Sequence, residues 1–144
     1  MKANELRIGN FVFDDENKPM KVARVETQEC TDFNGNDEFN VIIEHIDKNI
    51  GYYESKINPI PITEEWLIKF GFTRGALDSW AVYFHYKTKI NNYDEDICVR
   101  FYRDGYFMYC NGNECNSSYK AHRHVHQLQN LYFALTNEEL NYTP

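Results

Sequence analysis

The sequence of 144 residues contains no apolar run approaching the roughly 20 residues that a membrane-spanning helix needs. Its opening, MKANELRIGN, lacks the apolar stretch that forms the centre of a secretory signal. These two absences lead to the expectation of a cytoplasmic protein, in whatever host cell makes it. Positive charge is scarce: 15 Lys and Arg against 22 Asp and Glu leave a formal net charge of −7. Non-specific nucleic-acid binders need cations to displace counterions, so this balance argues against that class. It leaves room for a local basic patch, and it suits an acidic protein that docks on a basic partner. Enzyme motifs are missing too. There is no Gly-rich phosphate loop, nucleophile elbow or zinc-protease helix pattern. Glu64 and Glu65 are adjacent, and adjacent carboxylates on a helix do not face each other. The acids at 94–96 follow Asn91-Asn92 and read as a solvated turn. The expectation is a non-enzyme without a cofactor. The four cysteines, Cys30, Cys98, Cys110 and Cys115, are expected to be reduced thiols in a cytosolic chain.

What the chain does have is aromatic surface to bury. Aromatics make up 16% of the residues, with 11 Tyr and 10 Phe, a content that disordered chains lack. The length fits a single domain, 1–144, with a real core. Phe11-Val12-Phe13, the polar stretch Asp14–Lys18 and the run from Met20 to Glu26 predict an N-terminal hairpin. Asn34-Gly35 reads as a turn, Val41-Ile42-Ile43 as a buried strand, and Tyr52-Tyr53 as the start of another. The clearest helix signal of the first half is PITEEWLIKFGF. Thr63 is placed to cap free amides, and Glu64 and Glu65 sit where the helix dipole favours acids. Ile62 and Leu67 have staple spacing, and Gly71 can end the helix in the left-handed region.

In the middle of the chain the period drops to two. SWAVYFHYK alternates Trp80, Val82, Phe84 and Tyr86 with smaller or polar residues, and DICVRFYR alternates Ile97, Val99 and Phe101. Asp104-Gly105 is the strongest hairpin turn, with Tyr106–Cys110 as the return strand. Val125, Leu128, Leu131, Tyr132 and Leu135 then recur at three and four, which predicts an amphipathic helix near 125–135. Thr136 to Glu139 has capping-box spacing for a further short turn. The pattern is α+β: a small antiparallel sheet or open barrel with two packed helices. Trp66, Leu67, Phe70, Leu128, Leu131 and Leu135 are the expected core.

Three candidate sites emerge. In HRHVHQLQNLY, at 122–132, the histidines alternate, so on a strand His122, His124 and His126 could share a zinc ion. A helix beginning near 124 separates His126 from His122, and the Cys110–Cys115 spacing is loose for a zinc knuckle. No metal is expected there. The polar residues His124, Gln127, Gln129 and Asn130 around that helix form a candidate partner-binding surface. The third site is a basic cluster, Arg100, Arg103, Lys120 and Arg123. It comes together if Tyr106–Cys110 pairs back along Ile97–Arg103, with Tyr102, Tyr106 and Tyr119 interleaved. Aromatics beside arginines suit single-stranded nucleic acid, by stacking and phosphate contact.

MKANELRIGNFVF, PIPITEEWLIKFGF and HVHQLQNLYFALTNEEL together resemble a family of small proteins from phages, prophages and mobile elements of Bacteroidetes. The resemblance covers both ends of the chain and the helix near residue 65. In that family Tyr or Lys often stands where this chain has His before Val125, so the His-x-His pattern is specific to this sequence. The resemblance carries over no functional residue. Its setting implies an accessory protein that binds a host macromolecule, a protein or ribonucleoprotein, and blocks a nucleic-acid-targeting (CRISPR-like) defence. The alternatives are direct binding of RNA or single-stranded nucleic acid by Arg100, Tyr102, Arg103, Lys120 and Arg123, or a structural role in the mobile element.

Overall fold

The computed structural model describes residues 2–31, 37–45, 48–90, 92–110, 121–140 and 142. The chain is α+β, with two antiparallel sheets of four strands each, neither closed into a barrel, and two α-helices among the described residues. It divides into two compact units, Met1–Ile60 and Pro61–Pro144. The expectation was one sheet. Each unit instead has strands enough to form its own.

The first unit runs β1 (Phe11–Phe13), β2 (Pro19–Thr31), β3 (Asp37–His45) and β4 (Lys48–Tyr53), paired in that order. The predicted N-terminal hairpin is present: Phe11 pairs with Lys21 and Phe13 with Pro19. Its turn is organised by Asp14, which is buried. The Asp14 Oδ1 accepts from the amides of Glu16 at 3.0 Å and Lys18 at 2.8 Å, while Asn17 takes a left-handed φ of 59°. Leu6, Val12, Met20, Val22 and Ile57 form the buried cluster, with Val25 and Tyr52 packed against it. The turn expected at Asn34-Gly35 lies outside the described residues.

The second unit opens with α1 (Glu64–Lys69). Thr63 caps it, its side chain accepting from the Trp66 amide at 3.3 Å. The helix ends in the paired bonds that a left-handed glycine allows: Gly71 N–H to Ile68 C=O at 2.8 Å and Phe72 N–H to Leu67 C=O at 3.0 Å, with Gly71 at φ 85°. The strands β5 (Thr73–Leu77), β6 (Ala81–Ile90), β7 (Tyr93–Tyr102) and β8 (Tyr106–Cys110) follow and pair in sequence order. β6 and β7 extend further than the alternation alone indicates. The acids at 94–96 are strand residues, not a turn: Asp94 pairs across from Lys89 and Asp96 from Lys87. Opposite charges directly across a ladder stabilise it, which carries the hairpin past its apolar part.

Register divides this sheet into two faces. Val82, Phe84 and Tyr86 share one with Ile97, Val99, Phe101 and Phe107, and apart from the half-buried Tyr86 all of them are buried. The helix α2 (Val125–Thr136) covers this face, with the Tyr132 ring 5.3 Å from that of Tyr86 and its hydroxyl 3.3 Å from that of Thr88. Leu67, Phe70 and Leu128 are core as expected, whereas Trp66, Leu131 and Leu135 are only half-buried. Val125, Leu128 and Tyr132 follow the three-and-four spacing of the buried stripe, and Leu131 and Leu135 lie at its margin. Asn137, at φ 58°, ends α2, and the Thr136 hydroxyl donates back to the Tyr132 carbonyl at 2.9 Å. No helical turn follows Thr136 over residues 137–140, although its hydroxyl, besides closing the preceding helix, accepts from the Glu138 amide at 3.1 Å.

Candidate nucleic-acid interface

The opposite face of the second sheet carries a different set. Ala81, Tyr102 and Tyr106 form one cross-strand row, and Tyr83, Arg100 and Met108 form the next. Tyr102 and Tyr106 face each other across the hairpin, and their rings stack with centroids 4.4 Å apart and planes within 12°. The turn explains this pairing. Gly105, at φ 72°, donates its N–H to the Tyr102 carbonyl at 3.0 Å, and that left-handed residue returns the chain with Tyr106 opposite Tyr102. Arg100 lies two residues before Tyr102 on the same face, with its guanidinium 5.0 Å from the Tyr102 ring and 5.6 Å from that of Tyr83. Arg123 approaches from the segment before α2, 5.4 Å from the Tyr106 ring, and donates to the Asp104 carbonyl at 3.3 Å. The result is a ladder, Arg100–Tyr102–Tyr106–Arg123. Each step is a cation–π or ring contact.

Asp78 anchors one end. Its Oδ1 accepts from the amides of Trp80 and Ala81, each at 2.8 Å, and its Oδ2 pairs with Arg100 Nη2. The Trp80 and Ala81 amides, with Arg100 beside them, hold the carboxyl below its usual range against the opposing effect of desolvation. This turn sets Trp80 outside the sheet at 74% exposure. The alternation Trp80, Val82, Phe84 had placed Trp80 on the apolar face. β6 begins only at Ala81, because Asp78 captures the two amides that would otherwise continue the strand. Ser79, Trp80, Tyr102, Arg103, Asp104 and Tyr106 line a cleft of about 390 Å³. Burial pushes the Tyr102 phenol up, so it is neutral at physiological pH.

Of the five residues predicted for a nucleic-acid surface, Arg100, Tyr102, Arg103 and Arg123 meet at this hairpin. Lys120 and the interleaving Tyr119 lie outside the described residues. Tyr106 joins as anticipated. Trp80, Tyr83, Asp78 and Asp104 were missed. The Asp78-Ser79 pair before the apolar run was the one available turn signal, and the cross-strand position of Tyr83 is not readable from spacing.

The polar residues proposed for partner binding sit elsewhere. Gln127 is engaged at the start of α2, where its Oε1 accepts from the amides of Arg123 at 2.8 Å and His124 at 3.1 Å. Gln129 is 1% exposed, which corrects its placement on an outer face. Its position one residue after Leu128 turns it inward with the edge of the buried stripe. His124 and Asn130 are half-buried.

The histidine stretch is extended and then helical. His122 bridges Phe107 and His124 bridges Pro61, after which α2 begins at Val125. The His124 and His126 rings stack at 5.6 Å, His122 lies 5.2 Å from the Phe107 ring, and His126 is fully buried. No group of three or more His, Cys, Asp or Glu among the described residues is arranged to hold a metal ion. The expectation of reduced thiols fails at Cys110, which is disulfide-bonded, while Cys98 is free and buried. No family model, curated protein or solved structure matches the chain.

Proposed function

We propose that the chain is a non-enzymatic protein that binds single-stranded nucleic acid at the tip of the β7–β8 hairpin. The observation that carries this reading is the Arg100–Tyr102–Tyr106–Arg123 ladder beside an exposed Trp80. Stacking on aromatic and guanidinium planes is worth about 1–3 kcal/mol per base, and every base has a face to offer. Such binding relies little on long-range attraction, so it is compatible with a net charge of −7. The few cations also limit phosphate contact. Three arginines at about −0.7 each give a log–log salt slope no steeper than about −2. Duplex, whose bases are already stacked, should bind much more weakly.

Fluorescence anisotropy with a labelled single-stranded octamer, the matching duplex and a salt titration tests the reading. Single-strand binding with a shallow slope supports it, and equal binding of duplex, or none of either, ends it.

A second reading is favoured by the overall charge. An acidic chain with a Trp, Tyr and Arg cluster fits a basic host protein or ribonucleoprotein, because those three residue types dominate interface hot spots. In the phage-type setting implied by the sequence resemblance, such docking would block a nucleic-acid-targeting defence. Capture of a host protein from nuclease-treated lysate that is lost with Trp80→Ala would favour it.

A further inference from the structure

We infer that the cleft beside the hairpin turn selects guanine among the bases of a bound strand, an inference that rests on reading this surface as a single-stranded nucleic-acid site. Its volume of about 390 Å³ falls within the roughly 300–1,000 Å³ typical of small-ligand sites. The aromatic rings around it are not equivalent. Tyr102 and Tyr106 are stacked on each other and flanked by Arg100 and Arg123. Trp80 is 74% exposed and makes no ring contact among the described residues, so its indole is the face left for an incoming base.

The polar lining then narrows the choice. Arg103 and Asp104 are neighbours in the turn, both exposed and both lining the cleft. Arg123 engages the Asp104 backbone carbonyl, and no ion pair holds the Asp104 carboxylate among the described residues. A carboxylate has two acceptor oxygens and no donor, while a guanidinium is a fork of donors without an acceptor. Guanine is the base that matches both. Its N1–H and N2–H₂ are adjacent donors for a carboxylate, and its O6 and N7 are adjacent acceptors for a guanidinium. Adenine sets an acceptor, N1, beside its amino group, and cytosine sets N3 there. Uracil has one N–H between two carbonyl oxygens. Each of these leaves a carboxylate facing an acceptor.

The test uses the full chain and a uridine octamer carrying one central guanosine, adenosine or inosine, with free guanosine monophosphate as a further probe. Binding is read by anisotropy and by quenching of tryptophan fluorescence, with Trp80→Phe separating Trp80 from Trp66. The guanosine octamer should bind about 5- to 150-fold more tightly than the adenosine octamer, the range for one bidentate pair. Inosine, which lacks the N2 amino group, should fall between them. Asp104→Asn should abolish the guanosine-over-inosine preference while binding of plain oligouridine stays the same or tightens. A simple loss of charge would not produce that pattern. Equal affinity for all the octamers, or an unchanged guanosine preference in Asp104→Asn, overturns the inference and leaves the nucleic-acid reading standing. Binding of guanosine monophosphate but of no octamer keeps guanine selection and removes the nucleic-acid reading. Failure of every probe to bind removes both.

Discussion

The start of α2 and the tip of the β7–β8 hairpin are both rich in polar side chains, and both lie where the chain changes direction. They differ in what those side chains do. At the helix start Gln127 accepts from two backbone amides and Gln129 is buried, so the polar atoms serve the fold. At the hairpin the backbone closes its own turn through Gly105, and side chains as large as Trp80, Arg103 and Asp104 remain exposed. A helix leaves its first amides without partners, and nearby polar side chains supply them. A hairpin turn satisfies most of its own backbone, so its side chains are available for a ligand. Polar character alone therefore does not mark a binding surface. The number of backbone groups left to satisfy nearby decides it.

This contrast can be tested from its strongest consequence to its weakest. Leu128, 1% exposed beneath the helix, should cost roughly 2–5 kcal/mol of stability when replaced by alanine. A urea titration would show it, and a loss below about 0.5 kcal/mol would mean the helix is not seated on the sheet. At the hairpin, Trp80→Ala should leave the urea midpoint nearly unchanged but weaken single-strand binding by about 1–3 kcal/mol. The reverse outcome would make the indole a folding device. Gln127→Ala should lower stability by about 0.5–2 kcal/mol, the usual range for loss of a cap, with nucleic-acid affinity untouched. Reduced affinity without reduced stability would return that residue to the candidate binding surface. Arg123→Ala should make the salt slope shallower by about 0.7, the share of one phosphate contact, and an unchanged slope would place Arg123 outside the contact.

A separate effect, confined to high pH, concerns Cys98, on the same face of the sheet as Arg100 and Tyr102. Burial, aided by Asp96, pushes its thiol from 9.0 up to about 11. The folded chain thus favours the neutral thiol, and the associated stabilisation is complete below the unfolded value. It is lost as pH rises from about 9 towards 11. Wild type should lose more stability across that window than Cys98→Val. Parallel pH profiles would contradict the burial.

Much of the local structure was determined by the sequence itself. Thr63, Gly71 and the three-and-four spacing after Val125 specify α1 and α2 because caps and periodicity act over a few residues. Asp104-Gly105 specifies the hairpin for the same reason, and with it the meeting of Tyr102 with Tyr106. Tertiary structure decided the rest. Whether Gln129 faces in or out depends on which edge of the helix the sheet covers. Trp80 left the apolar face because Asp78 took the amides that would have extended β6. Arg123 reached the hairpin only because the segment before α2 bridges to Phe107. Such placements depend on partners far away along the chain. Local spacing carries no record of them, so the surface that gathers Arg100, Arg103 and Arg123 around two stacked tyrosines exists only in the folded unit.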